Sequence, residues 1–233
     1  MGSAIPCQAE PLYSNSLAEL DLSKEPKDMS QEAIERVHAH SQEGIRLREA
    51  FFAAKAPLVV EIARVMAVSL ARGGKILLCG NGGSAADCQH IAAEFVNRFK
   101  LERPPLPAIA LTTDTSILTA IGNDYGFDQV YQKQVQALGR PGDVLVAIST
   151  SGGSPNVLAA LRAAKEREML TVGLTGQGGG AMLPMCDFPV LVPHKGTPLV
   201  QEIHIAVGHL LCELVDYYLF EAVSELTPYL NEG

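Results

Sequence analysis

The chain has no dense block of lysines and arginines, no C-x-x-C pair, no long uninterrupted apolar run and no basic start leading into an apolar core. Each absence excludes something. Neutralising a nucleic-acid backbone takes clustered cations. Here 18 Lys and Arg face 26 Asp and Glu, and the formal net charge is −8, so no nucleic-acid partner is expected. The five cysteines (Cys7, Cys79, Cys88, Cys186 and Cys212) are scattered, as free thiols in a reduced cytoplasm would be, rather than spaced as a disulfide framework. A bilayer span needs about 20 apolar residues in a row, and a secretory signal needs a basic start before its apolar stretch. Neither pattern is read, so no membrane partner is expected and the cytoplasm is the expected location. No Lys-Ser/Thr follows the glycine-rich stretch at 80–83, which argues against a Walker phosphate loop.

What is present is an alternation. The 233 residues are 47% hydrophobic, enough for one sizeable α/β core. Residues 1–30 are polar, carry Pro6, Pro11 and Pro26, and read as a loose arm. From Gln31 to Arg72 the pattern is helical, with Pro57 expected to start a second helix and Arg72-Gly73-Gly74 to end it. Apolar runs then recur at 75–79, 107–111, 143–148, 170–174 and 188–192. Helical stretches lie near 84–99, 115–138, 154–168 and 199–222. Strand and helix in turn, with short joins, predict a mainly parallel five-stranded sheet in a three-layer α/β/α sandwich, preceded by N-terminal helices. Residues 31–222 read as one domain and 223–233 as a tail. The last long helix carries Ile203, Ala206, Val207, Leu210, Leu211, Leu214 and Val215. So wide an apolar face predicts a helix-mediated homo-oligomer.

Two loops stand out. Gly80-Asn81-Gly82-Gly83-Ser84-Ala85 follows the first apolar run. It satisfies G-x-G-x-x-A, but the acidic residue that a dinucleotide fingerprint needs at the end of the second strand is not there, since Asp114 comes late. No nucleotide cofactor is expected. The same turn, with Ser84 as a candidate N-cap, bares backbone N–H groups to an anion. Ser149-Thr150-Ser151-Gly152-Gly153-Ser154 follows the third run, with Pro155 suited to a first helical position. A phosphate there would meet hydroxyls, unpaired N–H groups and the positive end of a helix dipole, in the place where open α/β sheets bind ligands. The alternative is a Ser-rich turn that only caps its helix. Thr175-Gly176-Gln177-Gly178-Gly179-Gly180 has no chemistry assignable from sequence.

His90 and Glu94 are one helical turn apart and share a face. The pair suits acid/base work, one metal ion, or a solvated surface. His204 and His209 lie five apart on the last helix and point to different sides. Asn123-Asp124 could hydrogen-bond the hydroxyls of a polyol, or merely form a turn.

Taken together, Cys79-Gly80-Asn81-Gly82-Gly83-Ser84, His90-x-x-x-Glu94, Gly122-Asn123-Asp124-x-Gly126-Phe127, Ser149-Thr150-Ser151-Gly152-x-Ser154, Leu174-Thr175-Gly176 and Gln201-Glu202-Ile203-His204 with His209 resemble the sugar isomerase (SIS) domain family, most closely its phosphoheptose isomerases. The resemblance covers residues 31–222 and implies a flavodoxin-like fold. It implies interconversion of sedoheptulose 7-phosphate and D-glycero-D-manno-heptose 7-phosphate, an early step toward lipopolysaccharide or other surface heptoses. It also implies a homotetramer with sites at subunit contacts. Ser149, Thr150, Ser151 and Ser154 would hold the phosphate, with Asn81, Gly82, Gly83 and Ser84 nearby and Asn123, Asp124 and Gln201 toward the sugar. Glu94 would be the base and His209 its acid/base partner. His90, Glu94, Gln201 and His209 would be ligands where the enzyme carries zinc. Moving a carbonyl between C1 and C2 through an enediol needs one group on the carbons and one on the oxygens, with no redox cofactor.

Gln201 and His209 stand about 12 Å apart along a regular helix, so they could serve one metal only by leaning together, by a late helix start, or from different subunits. The stretch 194–200 reads about one residue shorter than in many isomerases, and Leu199 stands where relatives often have Arg. Two rival readings share the fold: a non-enzymatic tetramer binding the replication initiator, whose members usually lack the carboxylate and the final histidine, and a sugar-phosphate sensor.

Overall fold

The computed structural model describes residues 30–230; the N-terminal arm lies almost wholly outside them. The chain divides at Gln42 into two units. In the first, residues 31–42 are helical, polar and mostly exposed, with an ion pair between Arg36 and Glu32 at 2.6 Å that solvent leaves nearly neutral in stability. The second unit, from Glu43 onward, holds the sheet.

Helix α1 runs from Gln31 to Ala71 as one helix with Pro57 inside it, which corrects the expected break. Pro57 and Ala53 both face solvent, so water can take the carbonyl that the proline ring leaves unbonded. On either side the helix is held by buried residues, Leu47 and Phe51 before it and Val59, Ile62 and Met66 after it.

Five strands follow: β1 (Ile76–Gly80), β2 (Ala108–Ala110), β3 (Val144–Ser149), β4 (Leu170–Thr175) and β5 (Phe188–Leu191). All pair in parallel in the order β2-β1-β3-β4-β5. Along β1 the side chains alternate between two cores. Ile76 and Leu78 join α1, α2 (Gly83–Val96) and α6 (Thr197–Asp216), while Leu77 and Cys79 join α4 (Val130–Leu138) and α5 (Pro155–Glu166). That period of two makes three layers. The chain order reverses between β1 and β3, so the loops after these strands flank a crevice at the switch point.

The expected long helix at 115–138 is broken. Helix α3 (Thr115–Asp124) ends before Gly126, whose φ of 93° no ordinary side chain adopts easily, and a 3-10 turn leads into α4. Beyond α6 and a π turn, the stretch read as a tail forms helix α7 (Val223–Leu230), anchored by buried Leu226. Thr197–Glu221 is, by length and composition, apolar enough to cross a membrane, contrary to the sequence reading. Yet 56% of its window is buried inside the protein, so core packing accounts for its apolarity. Leu199 is 4% exposed and packs in this core beside Gly44.

His204 on α6 is fully buried, and neither ring nitrogen makes a well-formed hydrogen bond. Burial pushes its pKa from 6.5 to about 4, against a smaller opposing pull from the Thr175 backbone. The folded state therefore binds fewer protons than the unfolded chain between these values, and stability falls as pH drops through 6.5 toward 4. The full effect is about 3 kcal/mol. Urea midpoints at pH 7.5 and 5 should differ more for the wild type than for His204→Gln. Equal differences would show that His204 is not the proton sink.

Candidate active site

Two clusters lie on helices α2 and α6, which run side by side in the same direction. Gly83 faces Gln201, Ile91 faces Gly208, and His90 faces His209.

The first cluster is a cavity of about 240 Å³ between the loops after β1 and β3. Ser149, Thr150, Ser151 and Ser154 form one wall, Asn81, Gly83 and Ser84 the other, and Thr197 and Gln201 close the side. The Ser149 hydroxyl lies 3.0 Å from that of Ser154 and 3.5 Å from that of Ser151, while Ser151 accepts the N–H of Gly153 at 3.2 Å. Ser154 is the N-cap residue of α5, with Pro155 in the first turn, but its hydroxyl makes no capping bond. In the first turn of α5, Pro155 has no N–H and the Val157 N–H donates to Asn156 Oδ1 at 3.0 Å, so the Ser154 hydroxyl is left to the serine cluster rather than to capping. Ser84 is not a cap either. Gly82 caps α2, at a φ of 57°, and Ser84 sits buried in the first turn. A Cβ on Gly83 would lie 2.5 Å from Gln201 Nε2, so glycine lets the Gln201 amide reach the cavity wall.

Asn81 is held by Asn156, each amide donating to the other's carbonyl oxygen at 2.9 Å, and Tyr131 donates to the Gly80 carbonyl at 2.6 Å. Asn156 and Tyr131 carry no loop signature, and only the fold brings them there. The glycine-rich stretch 176–180 also gains a role. It wedges beneath the serine loop, with Met182 N–H donating to Gly152 O and Gly176 N–H to Thr150 O, both at 3.0 Å.

The second cluster is the proton-transfer candidate. His90 Nε2 and His209 Nε2 are 2.9 Å apart, and Glu94 Oε1 is 3.5 Å from His90 Nε2. Phe99 stacks on the His209 ring at 5.5 Å. Burial, and then the neighbouring His90, push the His209 pKa down, which favours a neutral imidazole able to give or take a proton. One turn before His90, burial raises the Asp87 carboxyl despite an opposing pull from His90. A Cβ on Gly208 would lie 2.5 Å from Ile91 Cδ1, so glycine sets how closely the two helices approach beside the histidines.

Not every candidate comes together. Within one protomer Gln201 belongs to the serine cavity, about 12 Å along α6 from His209. Helix α6 includes both residues, so neither a late start nor a break brings them together. Asn123 and Asp124 are exposed at the end of α3, hydrogen-bonded to each other at 2.8 Å, and do not line the cavity. Among the described residues no three His, Cys, Asp or Glu side chains close into a ready metal cluster. The donor chemistry of His90, Glu94 and His209 nevertheless suits zinc, because two imidazoles and one carboxylate are ligand types it takes and His90 Nε2 lies within 3.5 Å of both partners.

The SIS domain family model matches residues 40–176, more than half of the chain. A phosphoheptose isomerase from Maridesulfovibrio salexigens is 64% identical over 203 residues, which cover 87% of this chain and 99% of the relative. The chain belongs to the SIS domain family, among its phosphoheptose isomerases. Solved structures agree. The phosphoheptose isomerase from Neisseria gonorrhoeae is 51% identical with a TM-score of 0.75, and the one from Francisella tularensis is 40% identical with a TM-score of 0.77; each comparison covers 79% of this chain and 98% of that structure. The flavodoxin-like sheet is thus the SIS fold.

Proposed function

We propose that this phosphoheptose isomerase interconverts sedoheptulose 7-phosphate and D-glycero-D-manno-heptose 7-phosphate in the cytoplasm, as an early step toward lipopolysaccharide or other surface heptoses. The observation that carries the reading is the convergence of His90, Glu94 and His209, three groups from two helices, at 2.9 and 3.5 Å. Such a cluster has work to do in an isomerase and none in a sensor or an initiator-binding tetramer.

The serine cavity holds the phosphate through the hydroxyls of Ser149, Ser151 and Ser154 at the positive end of the α5 dipole, without a lysine or arginine among its lining residues. From the ketose, Glu94 takes the proton at C1 and returns it to C2 of the enediol. His209 gives a proton to O2 and accepts one from O1, so the carbonyl moves from C2 to C1 with no net gain or loss of atoms or electrons. The separation of the cavity from this cluster within one protomer supports a composite site: the phosphate pocket and Gln201 of one subunit and the proton-transfer cluster of another. A homotetramer supplies such contacts.

Zinc fits the same cluster. His90, Glu94 and His209 would hold it, joined by Gln201 from a neighbouring subunit. When bound it would polarise the substrate carbonyl. The test is turnover of sedoheptulose 7-phosphate by purified protein, before and after chelation and again after zinc is restored. Activity lost on chelation and recovered with zinc is the expected result. Activity that survives complete chelation would remove the metal but keep the isomerase, and no turnover with zinc present would reject the isomerase.

A further inference from the structure

The segment after α2 is tied to α6 at three successive turns. Phe99 stacks on His209, Lys100 Nζ meets Glu213 Oε2 at 2.9 Å, and Arg103 Nε donates to Asp216 Oδ1 at 2.9 Å. The first two contacts are at the surface or half-buried. The third is different, because the side chains of Arg103 and Asp216 are only 1% and 4% exposed. A buried charge pair of this kind is held in place only when its remaining donors find partners.

Arg103 finds them at the end of the helix that carries Glu94. Its Nη2 donates to the carbonyl of Glu94 itself at 3.0 Å, and its Nη1 to Phe95 O at 2.7 Å, Pro104 O at 3.2 Å and Asn97 O at 3.3 Å. Helix α2 ends at Val96, so Glu94 O and Phe95 O are among the last four carbonyls, which have no partner within a helix. The guanidinium donates to Glu94 O and shares Phe95 O with the Leu106 N–H (3.0 Å), places positive charge at the negative end of the helix dipole, and ties the end of α2 to the helix that bears His209.

We propose that Arg103 is a positioning residue for the isomerisation. It fixes the main chain of Glu94 relative to α6 and thereby the separation of Glu94 from His209. Arg103 touches no reacting atom. The inference rests on the reading of Glu94 and His209 as the proton-transfer pair. Its leverage is geometric, since a displacement of ~1 Å at reacting groups can cost up to ~100-fold in rate. Lysine cannot replace the planar fork, which serves a carboxylate and several carbonyls at once.

The experiment compares wild type, Arg103→Lys, Asp216→Asn and Val135→Ala in kcat, KM and melting temperature. Val135 is fully buried in the core on the other side of the sheet, so its truncation destabilises the fold without touching α2 or α6. For Arg103→Lys, kcat should fall at least ~10-fold with KM within about twofold, at a temperature where the variant is folded. Asp216→Asn should lower kcat less, because the carbonyl contacts remain. Val135→Ala should keep its kcat at an equal or greater loss of melting temperature. A folded Arg103→Lys with kcat within about twofold of wild type overturns the proposal, as does an equal loss of kcat in Val135→Ala. If Arg103→Lys is not recovered folded, Asp216→Asn decides: kcat reduced with KM unchanged supports the proposal, and an unchanged kcat overturns it. Absence of turnover in the wild type is a separate result, which removes the functional reading before any variant is compared.

Discussion

Glu94→Gln is expected to lower kcat by at least ~100-fold and to leave KM nearly unchanged. The amide keeps the size of the side chain but cannot accept a proton. The serine loop, to which we assign the phosphate grip, is a separate cluster and is expected to stay intact. In D2O the wild type should wash deuterium into the substrate carbons as it turns over, and the variant should lose that exchange together with the rate. A hundredfold loss corresponds to about 2.7 kcal/mol of transition-state stabilisation, which is in the range for a lost general base. A variant that exchanges and isomerises within about tenfold of wild type would assign the base elsewhere, with half-buried Asp87 the next carboxylate to test.

Gly152→Ala should have the opposite kinetic signature. Gly152 has a φ of 64°, and a Cβ there would lie 2.1 Å from Gly179 O and 2.5 Å from Gly179 C. No side-chain rotation relieves a clash with backbone, and the conformation is itself costly for alanine. The serine loop or the 176–180 loop must move, and with it the hydroxyls of Ser149, Ser151 and Ser154. KM should rise at least ~10-fold, about 1.4 kcal/mol of lost binding, while competitive inhibition by inorganic phosphate weakens in parallel and the melting temperature falls. An unchanged KM with unchanged phosphate inhibition would show that the wedge does not support the anion site.

The sequence reveals what depends on neighbours along the chain. Each of the five apolar runs matches a strand to within a residue or two, because a parallel sheet buried on both faces demands continuous apolar residues. The two loops are legible because glycine, serine and proline at fixed offsets encode turns and helix starts directly. His90 and Glu94 share a face by spacing alone.

Other features were hidden because they are settled by tertiary contacts. Pro57 reads as a helix start, yet solvent on one side and a buried face on the other carry α1 through it. Gly126 sits within an apparently continuous helical pattern, and only its backbone conformation shows the break. Asn156, which pairs with Asn81, lies 75 positions away in sequence, and Arg103, which pairs with Asp216, lies 113 away. No local pattern announces either. The glycines at 176–180 resist interpretation because their role is to be thin where another loop must pass.

Gly208 couples its position to the residue facing it on α2. With Ile91 opposite, a Cβ at 208 would meet Ile91 Cδ1 and Cγ1 at 2.5 and 2.8 Å, so either Ile91 must turn away or α6 must shift beside the two imidazoles. Residues 208 and 91 are therefore expected to vary together, glycine accompanying a bulky partner on α2 wherever the final histidine works beside them. A homologue that retains the imidazole but widens position 208 is expected either to carry a smaller residue opposite it on α2 or to be silent.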